Sequence, residues 1–122
     1  MTEASAVAGI DFASESTVVT SWRGPINITP LLAEAVPLAR AALLTAAQLR
    51  KTVTYGQLST AVDGRYPPIS LGTLLDLISH DCQLRDEPSL AALVIRGDTK
   101  EPGDAWIGDA GAEQRSCFAR WA

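Results

Sequence analysis

Apolar residues recur at helical spacing through Leu32, Val36, Ala39, Leu43 and Ala46 or Ala47, which predicts one long helix from Pro30 to about Arg50. Thr29-Pro30 supplies its start: a hydroxyl to cap free N–H groups, and a proline where the missing N–H loses no bond. Pro37 falls inside the pattern, removes one internal hydrogen bond, and predicts a kink or break near Val36. Ala39, Ala41, Ala42, Ala46 and Ala47 keep this helix thin, so it reads as a scaffold that other elements approach closely.

Thr54-Tyr55-Gly56-Gln57 has the spacing of a capping box and opens a short helix, Tyr55 to Val62, which Asp63-Gly64 ends. Tyr66-Pro67-Pro68 makes a stiff loop. Ser70 is placed to cap a second helix reaching about Arg85, with Leu71, Leu74, Leu75, Ile78 and Cys82 on its apolar face. Asp86-Glu87-Pro88-Ser89 breaks it, and the apolar run Leu90 to Arg96 has the length and end composition of a strand. Gly97 to Asp104 is a turn by composition, Ala105-Trp106-Ile107 the returning strand, and Ala112 to Trp121 a short C-terminal helix. Upstream, Thr17 to Trp22 is β-branched and aromatic and reads as a strand ended by Arg23-Gly24-Pro25, with Asn27 to Pro30 a connector. Residues 1–9 read as a flexible tail. The sum is an α+β fold over residues 10–122: a winged helix-turn-helix-like domain preceded by an N-terminal strand and a long scaffold helix.

Composition narrows this only in part. At 122 residues, 47% hydrophobic and 20% charged, the chain can bury one core without metal or disulfides. The net charge of −4 counts against broad, non-specific DNA binding but leaves room for a local basic strip. No apolar run approaches the roughly 18 to 20 residues of a membrane span, and the N-terminus lacks the basic start of a signal peptide, so a cytoplasmic protein is expected. Cys82 and Cys117 have no metal-like spacing and are expected as free thiols.

The residues Val53-Thr54-Tyr55-Gly56-Gln57-Leu58, then Ala61, then Leu71-Gly72-Thr73-Leu74-Leu75 and an apolar strand with a glycine-bearing hairpin, resemble the C-terminal winged-helix domain of DNA alkyltransferases and alkyltransferase-like proteins. The likeness spans about residues 51–106 and implies a winged-helix fold and a DNA-related role. The chemistry of that family does not follow. Alkyl transfer uses a cysteine in a Pro-Cys-His-Arg motif, and Leu93-Val94-Ile95-Arg96 occupies that region here. The neighbours that alkyltransferase-like proteins keep around the replaced cysteine are missing too, as is an arginine near Leu71 to Thr73 to displace a base.

The remaining chemistry is thin. His80 and Cys82 are two apart on a helix and point about 200° apart, which prevents a dyad. Asp76 and His80 can share a face, but two ligands do not make a metal site. Gly103-Asp104 and Gly108-Asp109-Ala110-Gly111 lack the strand, lysine and helix of a phosphate loop and read as turn and cap. Phosphate contacts would come from Lys51, Arg65, Arg96 and Lys100, with Arg85 a further candidate. Against them, the second helix from Leu71 to Asp81 lacks the Arg, Lys, Asn and Gln that read base edges. The expectation is therefore a non-enzymatic winged-helix binding module, DNA-related, with no cofactor or metal. The alternative is a protein-interaction module, such as an immunity protein, antitoxin or assembly partner, using an acidic surface around Asp76, Asp81 and Asp86 together with Leu77, Leu84, Tyr66, Trp106 and Trp121.

Overall fold

The computed structural model describes residues 10, 17–20, 24–64, 71–96 and 110–122. Among them the fold is α+β and mostly helical, with four α-helices and two small two-stranded sheets. Strands β1 (Thr17–Thr20) and β2 (Gly24–Asn27) pair antiparallel, with Val18 opposite Ile26 and Val19 opposite Pro25. The segment expected only to end the first strand is thus a strand itself. A two-stranded ribbon leaves each strand an unpaired edge, where a proline without an N–H is tolerated.

Helix α1 (Pro30–Gln48) starts as its sequence implies: Thr29 caps it, its hydroxyl accepting from the Leu32 N–H at 3.2 Å. The break expected near Val36 does not occur, because α1 runs through Pro37 as one element. Pro37 is exposed and Val36 is buried, so the lost hydrogen bond falls on the solvent side while the apolar face continues. That face, Leu32, Ala35, Val36, Ala39, Leu43, Ala46 and Ala47, is the spine of the core, and α2, α3 and α4 all pack on it. By length and composition α1 could also cross a membrane, a span the sequence reading did not find; its buried face is committed to the core.

After α1, strand β3 (Val53–Thr54) leads into α2 (Tyr55–Ala61). The capping box forms as read: Thr54 Oγ1 accepts from the Gln57 N–H at 3.1 Å, and Gln57 Oε1 accepts from the Thr54 N–H at 2.9 Å. Helix α3 (Gly72–Leu84) is shorter than expected at both ends, and its N-cap is Leu71, with no side-chain cap, rather than Ser70. Leu77, set aside as an interface residue, is fully buried beside Leu74 and Ile78, so the apolar face is wider than one stripe.

The run Leu90 to Arg96 is the main correction. Leu90–Leu93 is a 3-10 turn, and only Val94–Ile95 forms a strand, β4. All six of these residues are buried, so no polar alternation marks the backbone state, and the small Ala91 and Ala92 let a tight turn fit against α1, α3 and α4. Strand β4 pairs parallel with β3, Val53 opposite Val94 and Thr54 opposite Ile95. The expected wing turn and returning strand, 97–107, lie outside the described residues. Helix α4 (Ala110–Trp121) begins two residues earlier than read, buries Cys117, and lays Phe118 and Trp121 against the core.

Candidate nucleic-acid interface

The geometry sorts the charged residues into those held by the fold and those facing outward. Asp81 was expected on an acidic surface, but it is 2% exposed. Its Oδ1 accepts from the Ile10 N–H at 2.8 Å, and its Oδ2 lies 3.1 Å from Arg85 Nε and 3.7 Å from Arg40 Nη1. Arg40 Nη2 also sits 2.9 Å from Glu87 Oε1, and Arg120 Nη2 is 4.0 Å from Glu87 Oε2. This network ties α1, α3 and α4 to the N-terminal segment. A buried carboxylate needs paired charge and hydrogen bonds to offset its lost hydration, and Asp81 has both. Arg85 is thereby engaged within the fold, with its side chain 30% exposed.

A second polar cluster fixes α4. Glu113 Oε2 accepts from the Ser89 N–H at 2.8 Å, Gln114 Nε2 donates to the Ala92 carbonyl at 2.8 Å, and the Cys117 thiol donates to the Ser89 carbonyl at 3.4 Å. Ser89 also shares a 2.8 Å hydroxyl contact with Ser79 of α3. Sequence reasoning missed both networks, because most of their partners lie 22 to 71 positions apart and carry no mutual signal in the chain.

Cys82 and Cys117 are free and buried. Burial pushes the Cys82 thiol up to about 11 against the pull of a hydrogen bond from the backbone of Leu90. Burial likewise pushes Cys117 up to about 12, with the charge of Cys82 adding to the effect. Both are held as thiols, the inert form. Among the described residues no group of three or more His, Cys, Asp and Glu is gathered to hold a metal ion.

Of the phosphate-contact candidates, Lys51 is exposed just ahead of β3, and Arg96 is half-buried just after β4. The parallel β3–β4 register puts Ile95 beside Thr54, so Lys51 and Arg96 flank opposite ends of one two-residue sheet. Arg65 and Lys100 lie outside the described residues, as do Tyr66 and Trp106. On α3, Gly72, Gln83 and Leu84 are exposed, and Gln83 is its one side chain among Arg, Lys, Asn and Gln. The loop joining α2 to α3 is longer than the three or four residues of a compact helix-turn-helix; α2 packs on α1 and on the β3–β4 pair, and α3 on α1 and the 3-10 turn. Comparison with protein-family models, with curated proteins and with solved structures found no match for this chain.

Proposed function

We propose that this chain is a non-enzymatic winged-helix binding module of the cytoplasm that holds DNA by its phosphates. Lys51 and Arg96 make backbone contacts, joined by Arg65 and Lys100. The observation that carries this reading is the β3–β4 pairing, which sets the two cations at opposite ends of one small sheet beside the helix pair. The order α1, β3, α2, α3, β4 supports the winged-helix assignment, and it agrees with the likeness of residues 51–106 to alkyltransferase domains. Thiols held protonated by burial fit a binding role rather than alkyl transfer.

Titration of a labelled random duplex at several salt concentrations tests this. Binding should weaken as salt rises, and Lys51→Ala or Arg96→Ala should each reduce the salt slope by about 1 on every sequence tested. Absence of binding at low salt overturns the reading.

A second reading, a protein-interaction module such as an immunity protein, antitoxin or assembly partner, is favoured by α3 itself. Its outward side carries no lysine or arginine, and Leu84 stands 49% exposed beside the exposed Asp86. A stoichiometric protein recovered from host lysate after nuclease treatment would select it.

A further inference from the structure

Helix α1 carries a second apolar seam besides the one that builds the core. Leu31, Ala35, Leu38, Ala42, Thr45 and Leu49 follow the alternating spacing of four and three residues that keeps one helix stripe facing a partner helix, and the one polar member, Thr45, turns its hydroxyl back to the Ala41 carbonyl at 2.9 Å. Ala35 forms its buried inner edge. Leu31, Leu38 and Leu49 stand outward at 39%, 44% and 60% exposure, and Ala42 is half-buried between them. Among the described residues Leu84 is the other large hydrophobic so exposed, so exposed leucine is concentrated on this seam.

We infer that this face of α1 is the contact surface of a twofold dimer of the chain, with the two α1 helices antiparallel. The spacing of the seam is the same in both directions about position 40. Laid against its own reverse, it sets Leu31 opposite Leu49 and Leu38 opposite Ala42, a large side chain over a small one, with Thr45 over the buried Ala35. Twofold symmetry repeats each match, which is what a self-complementary interface requires. Charge gives the same orientation. Glu34 is exposed near the start of α1, and Arg50 and Lys51 are exposed at its end. The antiparallel arrangement brings acidic end to basic end, whereas the parallel one stacks like on like. The seam runs over ~27 Å of helix, enough for a continuous contact. A dimer also suits duplex DNA; the two readings share Lys51, and association is therefore measured without DNA.

Sedimentation velocity of the full chain without DNA, between about 1 and 100 µM, tests association. The expected result is a dimer that Leu38→Asp weakens about thirtyfold or more, the scale of a central contact residue, while circular dichroism stays unchanged because Leu38 lies outside the core. Orientation is read from oxidation of mixed variants. Leu31→Cys with Leu49→Cys should give an intermolecular disulfide, and Leu31→Cys alone should not. Glu34→Lys should weaken the dimer, and Arg50→Glu with Lys51→Glu should restore it. A monomer at 100 µM, or a dimer indifferent to Leu38→Asp, overturns the inference; a self-disulfide of Leu31→Cys overturns the antiparallel arrangement.

Discussion

Asp81 Oδ1 accepts a hydrogen bond at 2.8 Å from the backbone N–H of Ile10, 71 positions earlier in the chain. The same carboxylate pairs with Arg85 one helical turn on, and with Arg40 on α1. One buried charge therefore fastens the N-terminal segment, the scaffold helix and α3 together.

Removing that carboxylate leaves Arg85 without its partner, Arg40 with Glu87 alone, and the Ile10 N–H without its acceptor. Asp81→Ala should destabilise the fold by about 3 to 5 kcal/mol, the usual result of breaking a buried pair on one side. Asp81→Asn keeps an acceptor for Ile10 and should cost less. Urea unfolding of the three proteins gives the order.

The leucines of α3 separate in the same assay. Leu77 is fully buried and Leu84 is not. Leu77→Ala should cost about 2 to 5 kcal/mol, and Leu84→Ala should stay within about 0.5 kcal/mol. Comparable losses at both positions would contradict the packing described.

Stability should also fall at high pH. Cys82 and Cys117 ionise near 11 and 12 in the folded protein, against 9 for an exposed thiol. Below pH 9 both states keep the proton and the thiols have no effect on the balance. Above it the unfolded chain loses protons that the folded chain retains, so stability drops by up to about 1.4 kcal/mol per pH unit for each thiol until the folded-state value is passed. Thermal unfolding between pH 8 and 11 should show this loss, and a Cys82→Ala, Cys117→Ala double variant should flatten it. Native protein at pH 8 should react with thiol reagents far more slowly than unfolded protein.

Helices α1, α2 and α3 all end with a residue in the left-handed region: Arg50 at φ 56°, Asp63 at 65° and Asp86 at 57°. In each case the next N–H reaches back into the last turn, as Glu87 N does to the Cys82 carbonyl at 2.9 Å. An L side chain is strained there, so Asp86→Gly should stabilise by about 0.5 to 1 kcal/mol, raising the melting temperature by about 2 to 5 °C. A lower melting temperature would show that the Asp86 side chain contributes more than its backbone strain costs.

Local chemistry made much of the helical framework legible. The Thr29-Pro30 start, the Thr54/Gln57 capping box and the Asp63-Gly64 stop are short-range devices whose partners lie within a few residues, so the sequence by itself determined where α1 begins and where α2 begins and ends. Helical periodicity likewise placed α3 and α4 to within two residues. The tertiary structure decided the rest. Leu90–Leu93 turns as a 3-10 segment because it is enclosed by three helices, and an enclosed apolar run has no periodicity to reveal its backbone. Gly24–Asn27 is a strand because Thr17–Thr20 lies beside it. Asp81 and Arg85 read as surface charges, since charge is normally solvated, and only the approach of Arg40 on α1 and of Ile10 made Asp81 the buried centre of a network. The seam on α1 shows the same division: the spacing of Leu31, Leu38 and Leu49 stands in the sequence, but which apolar face of a helix turns inward depends on what packs against it.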